Sequence, residues 1–355
     1  MPGGIIVVKG NLKILYVGPL MHGSTSLQRM GALQELGHSV TSVNSAPNWL
    51  MKQKKPPLYY RIINKIIGPP DFARVNRQIV HLVSRETFDL VWLDKGLVIK
   101  PETLRKAKES SPRTTMVGYS PDDMGSKHNQ SKNFLSCLPH YDLYCTTKSY
   151  NVQELRDLGC PRVMFTGNAY DPDTHRPMDL SAEEKARIGG PVGFIGTFES
   201  QRAQSISFLA EHGVRVGVWG NGWKENCPLK HPNLLIKGPS IYGDRYAKAI
   251  CSFEVVLGFL RKLNRDLQTQ RSVEVPACGA FMLAERTDEH LSLFEEGKEA
   301  EFFGTDEELL EKVRYYLAHE AERKQIARVG RERCVKSGYS YQQRLAEILS
   351  SIHGA

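Results

Sequence analysis

No stretch of this chain approaches the about 18 consecutive apolar residues that a membrane-spanning helix needs. The apolar start at residues 5–8 is broken at once by Lys9-Gly10-Asn11. A charged region followed by a long apolar stretch, the mark of a secretory leader, is therefore missing, and a cytoplasmic protein is expected. Neither G-x-G-x-x-G nor G-x-x-x-x-G-K-[ST] occurs, so neither standard phosphate-loop signature can be invoked. There is no internal repeat and no low-complexity segment. Cysteine is sparse, odd in number and scattered: Cys137, Cys145, Cys160, Cys227, Cys251, Cys278 and Cys334. None stands at zinc-ligand spacing and most lie in apolar surroundings, which points to reduced core thiols in a reducing cytoplasm rather than to a metal site or a disulfide framework.

What is present is a soluble globular composition. At 355 residues, 41% hydrophobic and 24% charged, the chain exceeds what one hydrophobic core usually serves, so two domains are expected. The net charge of +8 favours an anionic partner: nucleic acid, an acidic membrane face or a diphosphate-bearing substrate. No nucleic-acid reading module accompanies it.

Residues 13–18 read as a buried strand, 19–25 as a loop, 26–36 as a helix ended by Gly37-His38, and 40–43 as a second strand, a βαβ opening. The loop Met21-His22-Gly23-Ser24-Thr25 puts amides and hydroxyls at a helix N-terminus, where an anion would be held; a Ser24 N-cap with a tight glycine turn explains the same residues. Lys52, Lys54, Lys55, Arg61 and Lys65 are then mixed with Tyr59, Tyr60, Ile62, Ile63, Ile66 and Ile67. Such a basic amphipathic segment suits an anionic bilayer, or equally a helix packing its isoleucines on a sheet. Further strands at 90–93, 115–119, 143–146 and 163–165 alternate with helical stretches, which predicts a mostly parallel sheet with functional groups at strand carboxyl ends. Three groups stand there: Asp94-Lys95-Gly96, Asp122-Asp123 and Gly167-Asn168-Ala169. The two adjacent acids could serve as a general base, bind sugar hydroxyls, or simply turn the chain.

The text turns polar from 171 to 190 and restarts at Val192-Gly193-Phe194-Ile195-Gly196. The expected division is a domain over 1–170, a connector over 171–190, a second domain over 191–338, and a final helix over 339–355. Asp171-Pro172-Asp173 matches a metal-binding D-x-D only superficially, since two prolines nearby make it connector. Gly196-Thr197-Phe198-Glu199-Ser200, ahead of a helix, is a second amide-rich loop, with Arg202 as its cation. Strands at 214–219, 234–237, 253–257, 281–284 and 300–303 supply the second sheet.

One stretch concentrates the chemistry. Arg261, Lys262 and Arg265 precede Asp266, and Thr269, Arg271 and Glu274 lead into Pro276-Ala277-Cys278-Gly279, a helix start running into an apolar strand, with Gly279 as the helix stop. Arg271 and Glu274 share a helix face, which by itself suggests an ordinary surface ion pair. Asp266 joins that face if the helix extends so far. The segment 271–341 resembles the C-terminal part of the group 1 glycosyltransferases with the GT-B fold, in particular the subgroup related to the spore-maturation protein CgeB. In the wider group a Glu-x7-Glu motif leads into Glu-Ala-x-Ala-x-Gly; here Glu274-Val275-Pro276-Ala277-Cys278-Gly279 matches the second half, and Asp266 takes the place of the first acid.

The resemblance implies an α/β protein of two Rossmann-like domains with parallel sheets facing a central cleft, the terminal helix returning to the N-terminal domain. It implies a nucleotide-diphosphate-sugar donor in the C-terminal domain: Glu274, at an exposed position in the cleft, on the ribose hydroxyls, Asp266 near the transferred sugar, the loop at Gly196 and Thr197 on the pyrophosphate, and Tyr242 against the base. Gly23 and Ser24 would face the cleft. Arg202, Arg261, Lys262 and Arg271 are the cations for the departing diphosphate, a role that needs no metal. The Asp266/Glu274 pair favours retention of configuration; an inverting reaction would take its base from His22, Asp94, Asp122 or Asp123. The acceptor would be a saccharide, a lipid-linked sugar or a protein. Two other readings stay open: a nucleotide-sugar epimerase of the same fold, and a non-catalytic protein that binds polyanions or an anionic membrane.

Overall fold

Six short runs in the first half, most of them apolar and rich in β-branched or aromatic residues, have the length of strands. In the computed structural model, which describes residues 10–47 and 56–353, they form one parallel sheet. The strands are β1 (Lys13–Gly18), β2 (Ser39–Asn44), β3 (Leu90–Asp94), β4 (Thr115–Ser120), β5 (Leu143–Thr146) and β6 (Val163–Phe165), in the order β2-β1-β3-β4-β5-β6. β3 and β5 are buried at every position because helices cover both faces, and they accordingly read as continuous apolar runs rather than as alternation. Register is set from the middle outward, with Leu15 opposite both Thr41 and Val91 and Val117 opposite Leu143.

The chain divides into two compact units. The first comprises Ile5–Gly167 together with Tyr341–Ala355, so the final helix, Tyr341–His353, belongs with β1–β6. It lies against the helix Thr25–Glu35, where Gln342 donates to Glu35 Oε2 at 2.5 Å, and Arg162 donates to the Ser351 carbonyl at 2.7 Å. Beneath it sits a fully buried cluster. Arg29 donates through Nε (2.9 Å) and Nη2 (2.7 Å) to Asp94 Oδ2, which also accepts the Tyr16 hydroxyl at 2.7 Å, while the Arg29 guanidinium lies over the Tyr119 ring at 4.2 Å.

The second unit covers 168–340. Its strands are β7 (Gly190–Ile195), β8 (Val216–Trp219), β9 (Leu234–Gly238), β10 (Phe253–Gly258), β11 (Met282–Glu285) and β12 (Glu301–Phe303), in the parallel order β12-β11-β10-β7-β8-β9. One core faces each side of this sheet: Ile250, Val273, Val275 and Phe302 on one, and Phe194, Ile206, Leu257 and Leu309 on the other. Residues 171–190 lie inside this unit. There the helix Ala182–Ile188 is capped reciprocally by Ser181 and Glu184 and packs on the helix Gly243–Ser252, leading straight into β7.

Candidate functional site

In the second unit the strand order reverses at β7, which has β8 on one side and β10 on the other. Loops leaving neighbouring strands part at such a point and open a crevice at the carboxyl ends. The loops here are 196–199 after β7 and 259–270 after β10, and the latter enters the helix Arg271–Ala277.

Glu274 lies in the first turn of that helix and is only 7% exposed, unlike the exposed acid expected from the sequence. Tyr246, on the helix Gly243–Ser252, donates its hydroxyl to Glu274 Oε2 at 2.6 Å, and His175 Nε2 stands 3.6 Å from Oε1. The Asp171 backbone N–H donates to His175 Nδ1 at 3.0 Å, which leaves the ring proton on Nε2, facing the carboxylate. The His175 and Tyr246 rings meet edge to face at 5.6 Å. Burial, and then the negative charge of Glu274, hold the Tyr246 phenol well above its ordinary range, so it remains a donor. One carboxylate oxygen is thus held by Tyr246 and the other faced by His175, neighbours that no spacing in the sequence singles out.

The four cations separate into two kinds. Arg202 turns inward from the helix Ser200–Glu211: its guanidinium donates to the Thr197 carbonyl (3.2 Å) and the Leu260 carbonyl (3.4 Å) and lies 3.2 Å from Glu199 Oε2. Burial, and then the nearby Arg271, push it down to about 10. It ties the loop after β7 to the loop after β10 and is 3% exposed, so the expected loop cation is turned into the protein rather than toward solvent. Arg261 donates to Glu199 Oε1 at 2.8 Å, and Lys262 pairs with Glu285, which also accepts the Leu260 amide at 3.0 Å. Arg271 carries its guanidinium 5.9 Å over the Phe194 ring, and its Nε, like that of Arg202, is buried without a hydrogen-bond partner. An unanswered guanidinium N–H is the donor most ready to accept an anion.

Two amides of the loop after β7 are already committed, Gly196 to the Trp219 carbonyl and Phe198 to the Asn221 carbonyl, each at 2.9 Å. A Cβ at Gly196 would stand 2.6 Å from the Phe194 ring, so glycine is needed there for packing. Asp266 follows a 3-10 turn and Arg265, whose φ is +47°, and lies ahead of the helix rather than on its face, 7% exposed. The loop it begins is anchored at Gln268, which accepts from Asn168 Nδ2 at 3.1 Å and donates to Glu289 at 2.8 Å. Thr269 donates its amide to Ser272 Oγ at 3.0 Å. Ser272 Oγ stands 2.7 Å from His290 Nε2, and His290 Nδ1 is 2.6 Å from the Glu285 carbonyl, so Nδ1 carries the proton and Ser272 donates. Burial holds His290 below its usual range and keeps it neutral. Tyr242 caps the helix Gly243–Ser252 and is 42% exposed, its ring open to a ligand.

In the first unit most of the expected bases turn out to be engaged. Asp94 is locked by Arg29 and Tyr16. Asp123 has no exposed surface; its carboxylate accepts from Ser126 (2.6 Å) and Asn151 (2.8 Å) and holds a turn, so it is not a reachable base. Asp122 is partly exposed and paired with Lys95. Ser24 caps the helix Thr25–Glu35, accepting from the Leu27 amide at 3.2 Å, Gly23 occupies φ +77°, and His22 alone of these is exposed. Asp171 accepts from Asp173 and Thr174 in a closed turn. Among the described residues no group of three or more His, Cys, Asp or Glu is placed to hold a metal ion.

The match of whole chains decides the fold. An α-glucosyltransferase solved with UDP and a 13-mer DNA superposes with a TM-score of 0.66 at 14% identity, covering 96% of this chain and 100% of its own. HepE from Anabaena, solved with UDP-glucose, gives 0.61 at 13% over 96% and 100%. Sucrose-phosphate synthase from Thermosynechococcus elongatus gives 0.63 at 11% over 96% and 98%. The chain has the GT-B fold. Within this GT-B chain, residues 202–350 match the family described as glycosyl transferase-like, a span that begins at Arg202 and includes Asp266, Arg271 and Glu274. No curated protein matches it by sequence.

Proposed function

We propose that this protein is a glycosyltransferase that moves a sugar from a nucleotide-diphosphate sugar to an acceptor hydroxyl, without a metal and with retention of configuration. The observation that carries the reading is the start of the helix Arg271–Ala277: a buried carboxylate held by the Tyr246 hydroxyl and faced by His175, three residues from an arginine Nε that has no partner. A carboxylate so held accepts hydrogen bonds from paired hydroxyls, as a ribose presents, and an unanswered guanidinium takes an anionic oxygen. In transfer the acceptor oxygen bonds to the anomeric carbon, the bond from that carbon to the diphosphate breaks, and the diphosphate leaves with the electron pair. Arg271 is then the first cation to meet the developing charge, with Arg261 and Lys262 at the rim. We assign Glu274 to the ribose, Tyr242 to the base and Asp266 to the sugar side, we read the Glu274–Gly279 motif as that of the group 1 glycosyltransferases, and we place the chain in their CgeB-related subgroup. The UDP complexes among the structural neighbours make a uridine diphosphate sugar the first donor to test.

The test is a thermal-shift screen of the full chain against UDP, GDP, dTDP, CMP and their common sugars, followed by turnover with the best donor with and without EDTA. One nucleotide is expected to raise the melting temperature by mass action, and transfer is expected to survive EDTA. No shift with any nucleotide overturns the reading. Loss of transfer restored by manganese overturns its metal independence, and epimerised donor without acceptor points to the epimerase instead.

The acceptor side carries a second proposal. The helix Leu58–Ile66 has no buried residue and exposes Leu58, Tyr59, Ile62 and Ile66, beside Arg61 and Lys65. The isoleucine face is thus not packed on the sheet; Lys52, Lys54 and Lys55 of the same segment lie outside the described residues. We propose that this face rests on an anionic membrane and brings the protein to a lipid-linked acceptor. No helix among the described residues is long and apolar enough to cross a membrane.

A further inference from the structure

At the amino ends of β10 and β11, away from the crevice at their carboxyl ends, lies a cavity of about 470 Å³ lined by Cys251, Cys278, Lys185, Lys324, Arg323 and Glu254 among others. Cys251 is half-buried near the end of the helix Gly243–Ser252, and Cys278 is buried at the cap of the helix Arg271–Ala277. As a thiol, Cys251 points its S–H at the Cys278 carbonyl, 3.5 Å away. Both cysteines line this one cavity. Cys251 is held below the ordinary thiol range, chiefly by its interaction with the Cys278 side chain and also by the Lys185 charge, while the same interaction and burial push Cys278 up. Neither thiol belongs to the proposed donor site.

We propose that Cys251 and Cys278 form a peroxide-sensitive dithiol that closes to an intramolecular disulfide and locks the helix carrying Tyr246 to the helix carrying Glu274. The half-buried sulfur on the cavity wall is the one that a small hydroperoxide reaches, and the buried sulfur beside it resolves the product. In the first step the Cys251 thiolate attacks a peroxide oxygen, the O–O bond breaks, and hydroxide or alkoxide leaves and is protonated, giving a sulfenic acid. In the second, the Cys278 sulfur attacks Cys251, the S–O bond breaks, and the hydroxyl leaves as water with the Cys278 proton. Two electrons pass from the thiols to the peroxide, and an external dithiol reverses the change. Because Tyr246 and Glu274 sit on the two joined helices, the cross-link bears directly on how the carboxylate is held.

The experiment treats the full chain with hydrogen peroxide, alkylates the remaining thiols, and maps peptides by mass under non-reducing conditions. A link between the Cys251 and Cys278 peptides is expected, with the other cysteines alkylated and the link removed by dithiothreitol. In Cys278→Ser, dimedone should label Cys251 as trapped sulfenic acid; in Cys251→Ser, no link should form. Amide hydrogen exchange across 271–277 should slow on oxidation of the wild-type chain and recover on reduction. Absence of the wild-type link overturns the proposal whether or not the variants fold, as does heavier dimedone labelling of Cys227, the other partly exposed thiol. Unchanged exchange across 271–277 overturns the locking. None of these readouts depends on glycosyl transfer.

Discussion

Tyr246→Phe isolates the contact that orients Glu274. The substitution keeps the ring, and hence the edge-to-face contact with His175, and removes only the hydroxyl that donates to Oε2 at 2.6 Å. Both partners are buried, so the carboxylate oxygen loses a charge-assisted hydrogen bond and has no bulk water to replace it. Such a bond contributes about 1.5–3 kcal/mol. For a folding unit of this size that corresponds to a fall of roughly 3–12 °C in melting temperature. The His175 contact remains, so nucleotide binding should weaken without vanishing, whereas Glu274→Ala should abolish it. Differential scanning calorimetry of wild type and both variants, alone and with UDP, reads stability and binding together. If Tyr246→Phe melts with the wild type, the hydroxyl does not hold the carboxylate. If Glu274→Ala is stabilised by UDP as fully as the wild type, the ribose assignment is wrong.

Asp94→Asn should be strongly destabilising, by about 3–5 kcal/mol in urea unfolding, because it leaves the Arg29 guanidinium buried without its counter-charge; a loss under 1 kcal/mol, the range of an exposed pair, would refute the buried-pair reading. His290 is held below its usual range, so the folded state binds its proton less readily than the unfolded chain does. Its contribution to stability is present above the unfolded value of about 6.5 and is lost as pH falls below it. His290→Gln should flatten the stability–pH curve in that window, and an unchanged slope there argues against the neutral histidine. Anionic but not neutral liposomes should sediment the protein, and Ile62→Glu with Ile66→Glu should abolish this; equal recovery in the supernatant with both vesicle types ends the membrane proposal.

Much of the architecture was legible in the chain. Continuous apolar runs such as Leu90-Val91-Trp92-Leu93 announced strands covered on both faces, and the alternation of these runs with helical stretches announced parallel sheets. Glycine with positive φ at Gly279 stopped the helix where its type and position suggested. The limits of local reading show at Asp123 and Arg202. Asp123 follows a strand end and Arg202 lies in the first turn of the helix after β7, both near where ligands gather, yet Asp123 is enclosed by Ser126 and Asn151, and Arg202 braces two loops. A charged residue near a crevice looks the same in sequence whether its side chain faces solvent or its own backbone.

What the sequence determined by itself were the properties set by neighbours in the chain: strand and helix periods, caps, turns, the overall positive charge and the order of elements that makes two parallel sheets. What only the tertiary structure decided was which polar groups meet. Asp94 and Arg29 are 65 positions apart, and His175, Tyr246 and Glu274 come from a turn and two helices. Their partnership depends on strand order and on the burial that raises the cost of an unpaired charge, and neither quantity is encoded in any local spacing.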